Sequence, residues 1–71
     1  MVAHDVAHRV QPGDLVLEVG CGPGDVLAAI ARAHPEARFL GLDVDTEMIE
    51  YAAEAHAATN IGFEHANVGE A

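Results

Sequence analysis

Residues 15–24 read Leu15-Val16-Leu17-Glu18-Val19-Gly20-Cys21-Gly22-Pro23-Gly24, and the rest of the chain is organised around them. Its first half is a short apolar run with one acid, which is typical of a buried strand in a parallel sheet. Three glycines follow almost directly, and glycine is costly unless the backbone needs a positive φ or a ligand must approach the main chain. The stretch therefore predicts a strand over 15–19 that ends in a ligand-binding turn.

Two amphipathic segments after this turn predict helices. The first begins at Asp25, which can cap it, and runs to about Ala33; the second begins at a cap at Asp45 or Thr46 and runs to about Ala58. Apolar spacing predicts the buried faces, which are Val26, Ala29, Ile30 and Ala33 in the first helix and Met48, Ala52 and Ala55 in the second. Valines at positions 2, 6 and 10 predict a short lead-in helix before the first strand.

Further apolar segments predict strands over 38–43 and 61–65, of which the first ends in Asp43. The order strand, helix, strand, helix, strand predicts a parallel sheet, because each helix can act as a right-handed crossover and the sheet can be covered on both faces. We therefore expect residues 1–71 to form a single, partial α/β domain with a three-layer, Rossmann-like architecture.

The length of the chain indicates that this domain is incomplete or needs a partner. It has 71 residues, below the roughly 100–200 usual for a domain, although its hydrophobic fraction of 51% is that of a globular α/β protein. The strand over 15–19 would then be an exposed apolar edge, open to pairing. Either a second copy or a missing carboxyl-terminal half could pair with it.

The charge of the chain argues against a nucleic-acid partner. Twelve acids against three arginines give a formal net charge of -9, and so few scattered arginines do not form the basic patch that binds a phosphate backbone. We expect no membrane partner either, because no apolar run approaches the ~18 residues of a membrane span. The single cysteine, Cys21, fits a reducing compartment, so we expect a cytoplasmic protein.

The carboxyl ends of the predicted strands carry the candidate site. Residues 20–24, Asp43 and Asn67 all fall there, where doubly wound sheets bind their ligands. A carboxylate can accept hydrogen bonds from both hydroxyls of a ribose, so Asp43 predicts an adenosine-type ligand. Asp25 stands near the helix start where a dinucleotide site has its third glycine, and an acid there opposes a pyrophosphate. The pattern therefore favours an adenosine ligand without phosphates.

These residues resemble the class I S-adenosylmethionine-dependent methyltransferases. Residues 16–24 look like the first motif of that family, and Gly41-Leu42-Asp43-Val44-Asp45 looks like its acid-ended second strand. The resemblance implies that S-adenosyl-L-methionine is the cofactor. The cofactor-binding residues that it implies are Glu18, Gly20, Cys21, Gly22, Gly24, Asp43, Val44, Met48, Asn67 and Val68.

The resemblance also implies a role for most of these residues. The three glycines would line the methionine and ribose of the cofactor, with Glu18 supporting its amino group directly or through water. Asp43 would hold the ribose hydroxyls, while Val44 and Met48 would border the adenine. Asn67 stands where the family often has an aspartate; its amide oxygen can still accept a bond from the adenine amino group, and the amide of Val68 would complete that contact.

Our leading hypothesis is the cofactor-binding part of a methyltransferase that acts on a small molecule, with these 71 residues binding the methyl donor rather than catalysing transfer. Two alternatives remain open: a fragment of an NAD-dependent oxidoreductase, and a non-catalytic nucleotide-binding or assembly module that recruits a partner through its edge strand. No catalytic residue is predicted, because His56 and His65, the candidate bases, also have ordinary places on a helix and a strand. His4 and His8 are spaced like zinc ligands, but without an evident third ligand we expect no metal site.

Overall fold

The computed structural model describes residues 10–66, which form three strands and two helices in strict alternation. In chain order these are β1 (Leu15–Val19), α1 (Asp25–Ala33), β2 (Arg38–Asp43), α2 (Thr46–Ala55) and β3 (Ile61–His65). The predicted bounds of the three strands and of α1 are confirmed. The second helix is shorter than predicted, because His56 leaves the helical conformation as the C-cap, and Ala58 forms an isolated bridge with Ile61. The predicted lead-in helix lies outside the described residues.

The three strands form one parallel sheet in the order β1-β2-β3, which confirms the predicted α/β fold class. Strand register sorts the side chains by face. Val16, Phe39 and Ile61 are aligned across the sheet, and Phe63 lies beside Gly41 on the same face. The opposite face carries the alternate residues of β1 and β2, among them Leu15, Leu17, Val19, Leu40 and Leu42.

The core lies between the first of these faces and the helices. Leu27, Ile30 and Ala31 of α1 pack there with Val16 and Phe39. This corrects the predicted buried face of α1: of Val26, Ala29, Ile30 and Ala33, only Ile30 is buried. In α2 the buried residues are Ile49 and Ala52, not Met48 or Ala55. Both helices are rich in alanine, so each has more than one apolar face. Apolar spacing therefore could not identify the face that packs on the sheet.

The second face of the sheet is uncovered within residues 10–66. Both helices pack against the face that carries Phe39 and Phe63, so the predicted cover on both faces is not met by the described part of the chain. Leu15 and Val19 are each 63% exposed and Leu17 is 43% exposed. In this part of the chain β1 pairs with β2 alone, so its other edge is open. No helix in the described range is long and apolar enough to cross a membrane.

The side chain of Asn60 ties the start of β3 to the end of α1. Its Nδ2 group donates to the carbonyl oxygens of Ala31 at 3.0 Å and His34 at 3.2 Å. Both carbonyls lie at the carboxyl end of α1 and also accept from backbone N–H groups, those of His34 and Ala37, each at 3.1 Å, so the amide is a second donor to each. The amide therefore closes α1 and fixes the connection into β3.

Asn60→Ala is expected to lower the free energy of unfolding by about 1–3 kcal/mol, because it removes two hydrogen bonds that contribute about 0.5–1.5 kcal/mol each. Urea denaturation measures the loss. Thr59→Ala, at the exposed neighbouring position, is the matched control and should change stability by less than about 0.5 kcal/mol. Equal losses in the two variants would show that the two bonds of Asn60 do not stabilise the fold.

Candidate functional site

The glycine turn after β1 is anchored to the end of β2. The backbone N–H groups of Gly20 and Cys21 both donate to the carbonyl oxygen of Leu42, at 2.7 and 3.0 Å. Gly20, Gly22 and Gly24 have φ values of 75°, 58° and 81°, in the left-handed region that residues with a β-carbon rarely adopt. The turn predicted from the three glycines is therefore present, at the carboxyl edge of the sheet.

The three glycines face different surroundings. A β-carbon built on Gly20 or Gly22 would meet no atom within 4 Å, so the space beside these two residues is open. A β-carbon on Gly24 would lie 2.7 Å from Cε1 of Phe63 and 3.1 Å from Cβ of Ala52. Gly20 and Gly22 therefore leave room for a ligand, whereas Gly24 allows α1 to pack closely on β3 and α2.

Gly24 also changes the predicted capping of α1. It is the N-cap residue, and no side chain caps the helix, so the prediction that Asp25 is the cap is wrong. Gly24 adopts a left-handed conformation and lies just outside the helix, so Asp25 is the first helical residue. The Asp25 carboxylate instead contacts His56, with 2.7 Å between Oδ1 and Nε2.

The Asp43 carboxylate lies between the glycine turn and the start of α2. Its Oδ2 accepts a hydrogen bond from the backbone N–H of Gly22 at 2.8 Å, and its Oδ1 accepts one from the N–H of Asp45 at 2.9 Å. The bond from Asp45 and then the bond from Gly22 hold the pKa of Asp43 below its usual value. Each oxygen keeps a free lone pair, so a charged carboxylate can still accept from a ligand.

Glu18 and Cys21 lie beneath and within the turn. Burial raises the pKa of the half-buried Glu18 carboxyl group. Burial, followed by the negative charges of Asp43 and Glu18, also raises the pKa of the Cys21 thiol. The thiol sulfur lies 2.8 Å from the position of a β-carbon built on Gly41, so Gly41 provides the space that Cys21 occupies. Cys21 is therefore a neutral thiol packed into the turn.

The first turn of α2 forms the other side of the candidate site. Asp45 caps this helix, as predicted, since its Oδ1 accepts from the N–H groups of Glu47 at 3.0 Å and Met48 at 3.3 Å. Val44 is 57% exposed and Met48 is 39% exposed, so neither belongs to the core. Two apolar side chains thus flank the cap on the surface beside Asp43.

Two residues at the site have contacts that were not predicted from the sequence. Phe63 packs under the turn against Gly24 and Gly41, and its only signal was the apolar alternation of β3. His65 was weighed as a base, but its Nε2 contacts the carbonyl oxygen of Val44 at 2.9 Å. Of the other predicted residues, Asn67 and Val68 lie outside the described part of the chain, as do His4 and His8.

Other regions of the described part of the chain show fewer features of a ligand site. Among residues 10–66 no group of three His, Cys, Asp or Glu side chains is placed to hold a metal ion. One small cavity lies near the amino ends of the strands, between residues 10–12 and 33–37, and another lies beside His56. Neither is lined by the glycine turn or Asp43, and the open space beside Gly20 and Gly22 lies elsewhere, at the carboxyl edge of the sheet.

The architecture is that of a Rossmann-like α/β protein, with a glycine turn after the first strand and an acid at the end of the second. A family model described as a methyltransferase domain matches residues 16–71. The chain belongs to this methyltransferase family, and structural relatives contain S-adenosyl-L-homocysteine, the demethylated form of the cofactor S-adenosylmethionine. The resemblance predicted from two sequence motifs is confirmed.

Three relatives show the extent of the match. The chain is 44% identical over 54 residues to a tRNA (guanine-N(7)-)-methyltransferase of Cutibacterium acnes, covering 76% of this chain and 19% of that protein. It is 38% identical over 55 residues to a trans-aconitate 2-methyltransferase of Azoarcus sp., covering 75% and 22%. A solved S-adenosylmethionine-dependent methyltransferase from Thiobacillus denitrificans, in complex with S-adenosyl-L-homocysteine, matches with a TM-score of 0.72 and 28% identity over 93% of this chain and 29% of that one. The chain thus spans less than a third of the length of each.

Proposed function

We propose that this chain is the S-adenosylmethionine-binding part of a methyltransferase. The observation that carries the proposal is the Asp43 carboxylate, which is held against the glycine turn by Gly22 and keeps lone pairs for a ribose. Beside it the space over Gly20 and Gly22 is open, so a ligand can approach the main chain there. Family membership supports this reading and gives no support to an oxidoreductase.

Each remaining residue of the site has a proposed contact. The methionine part of the cofactor would lie along Gly20 and Gly22, with its ammonium group toward Glu18 directly or through water. The backbone of Gly24 and the thiol of Cys21 would shape the floor of this surface, because both are packed beneath it. The exposed apolar side chains of Val44 and Met48 would border the adenine.

Asn67 and Val68 are proposed to complete the adenine contact. Both lie outside the described residues, so this part of the proposal rests on the sequence alone. An asparagine oxygen can accept a bond from the adenine amino group without carrying a charge. Its neighbour would contribute a backbone N–H group.

The chemistry proposed for the whole protein is methyl transfer. The cofactor supplies a methyl group activated by a sulfonium, and the protein mainly positions the acceptor in line and excludes water. The described residues would bind and orient the donor: Asp43 fixes the ribose end and the glycine turn the methionine end. His56 is bonded to Asp25 and His65 to a backbone carbonyl, so neither is proposed as a base.

A small molecule is the methyl acceptor that we propose. The relatives named above act on a tRNA guanine and on trans-aconitate, so the family includes both kinds of acceptor. Three arginines in a chain of net charge -9 support a small acceptor, since an RNA backbone needs clustered basic residues. The free thiol of Cys21 supports a reducing, cytoplasmic location.

The open edge of β1 is proposed as the place where the sheet continues. Its exposed apolar side chains and unpaired backbone groups would accept a further strand, from a carboxyl-terminal half of the fold or from a second copy. Sedimentation would distinguish these, because only the second copy gives a dimer of this chain.

Titration with S-adenosyl-L-homocysteine and with NAD tests the proposed function. We expect the first ligand to bind at least about tenfold more tightly by calorimetry, because a pyrophosphate would face Asp25 at the start of α1, where its charge is unfavourable. Tighter binding of NAD would replace the proposal with the oxidoreductase alternative. A stable dimer that binds neither ligand would favour an assembly module.

A further inference from the structure

The imidazole of His65 is bonded to the loop between β2 and α2. Its Nε2 lies 2.9 Å from the carbonyl oxygen of Val44. A carbonyl oxygen can only accept, so Nε2 carries the proton and donates. Side chain and carbonyl belong to different segments of the chain, and the bond ties the end of β3 to the residue that follows β2.

The peptide group that receives this bond is held at both ends. Its carbonyl belongs to Val44 and accepts from His65, while its N–H belongs to Asp45 and donates to Oδ1 of Asp43 at 2.9 Å. Hydrogen bonds in a chain of this kind polarise and orient one another. The orientation of this one peptide plane therefore connects the His65 ring to the Asp43 carboxylate.

The Asp43 carboxylate has two anchors, and His65 supports one of them. Gly22 anchors Oδ2 through the glycine turn, and the Asp45 N–H anchors Oδ1. The backbone is also fixed nearby, because the N–H of Ala66 donates to the carbonyl oxygen of Asp43 at 2.9 Å. Without His65, the Val44–Asp45 peptide loses the side-chain donor that sets its tilt, and Oδ1 loses a fixed donor.

We propose that His65 is a positioning residue, which acts through the Val44–Asp45 peptide to orient the Asp43 carboxylate toward the ribose of the cofactor. This inference rests on the proposed function, since it requires Asp43 to bind a ribose. His65 itself does not contact the cofactor in the proposed arrangement. Its effect is therefore confined to ligands that carry the ribose hydroxyls.

Two variants of His65 distinguish the effect of its N–H donor from the effect of the size of its ring. His65→Phe keeps a planar ring and removes the donor, whereas His65→Gln keeps an N–H donor near the position of Nε2. Because His65 is exposed, neither change creates a cavity in the core. His34→Phe removes an imidazole at the far end of α1 and is the matched control.

Calorimetry with adenosine and with 2′,3′-dideoxyadenosine gives the decisive comparison. We expect His65→Phe to weaken adenosine binding about two- to tenfold, the range for one hydrogen bond, and to leave the dideoxy ligand unaffected. His65→Gln should recover most of the lost affinity, and His34→Phe should match the unmodified protein.

Equal losses for both ligands, or no loss for either while Asp43→Asn weakens adenosine binding, would overturn the positioning role. Failure of the proposed function would give a different calorimetric result. In that case Asp43→Asn would itself leave adenosine affinity unchanged, whatever His65→Phe does.

Discussion

Gly24→Ala is expected to lower the free energy of unfolding by about 2–5 kcal/mol, because two separate costs add at this residue. The first is conformational: a φ of 81° is unfavourable for alanine by about 1–2 kcal/mol. The second is steric, since the new β-carbon would lie 2.7 Å from Cε1 and 2.8 Å from Cζ of Phe63, and overpacking typically costs about 1–3 kcal/mol. Urea unfolding of the variant measures the sum.

Gly20→Ala is the matched control for this prediction. Gly20 has a similar φ of 75°, but a β-carbon there meets nothing within 4 Å. Its destabilisation should be limited to the conformational cost of about 1–2 kcal/mol. Phe63→Leu should partly rescue Gly24→Ala, because it removes the ring atoms that clash. Equal destabilisation by the two alanines, without rescue, would contradict the packing role assigned to Gly24.

Asp43→Asn is expected to weaken the binding of S-adenosyl-L-homocysteine by about ten- to a hundredfold, which corresponds to about 1.5–3 kcal/mol for hydrogen bonds to a charged group. Asparagine keeps the shape of the side chain, but it has one oxygen for the two backbone N–H groups that Asp43 now serves. The NH₂ group of the asparagine would therefore face the backbone N–H of either Gly22 or Asp45, and two donors would oppose each other. Calorimetry measures the loss of affinity.

Asp45→Asn controls for the loss of charge. Asparagine caps a helix about as well as aspartate, so this variant removes one negative charge two residues from Asp43 and leaves α2 intact. We expect its affinity to change less than about threefold, because an exposed charge is screened by solvent. If the two variants lose affinity equally, Asp43 affects binding only through its negative charge, and its carboxylate does not bind the ribose.

The order of the elements and the bounds of the strands and of α1 were readable from the sequence, because the strands are short apolar runs, of which β1 is followed by Gly20 and β2 ends in Asp43. The strands over 15–19, 38–43 and 61–65 have the predicted ends. The buried faces of the helices were not readable in the same way. In α1 the stripe that contains Leu27 and the stripe that contains Val26 are both apolar, and only packing on β2 selects the first.

Residues of the candidate site could be predicted where a residue type has a single local role. They were harder to predict where a contact joins distant segments of the chain. Glycines with positive φ and an acid ending β2 follow from local rules, and the structure shows both. The contact between Asp25 and His56 joins positions 31 residues apart, so local sequence suggested a cap instead. The bond of His65 to Val44 depends likewise on strand pairing.

We propose that the cofactor lies at the carboxyl ends of β1 and β2. This placement can be tested by recording backbone amide shifts of the ¹⁵N-labelled protein by NMR during titration with S-adenosyl-L-homocysteine. We predict that the largest shifts fall on Gly20, Gly22 and residues 43–45, and that Gly13 and Ala37, near the amino ends of the strands, stay unchanged. Shifts confined to the amino-terminal edge of the sheet, or no shifts at saturating ligand, would rule out cofactor binding at the carboxyl ends.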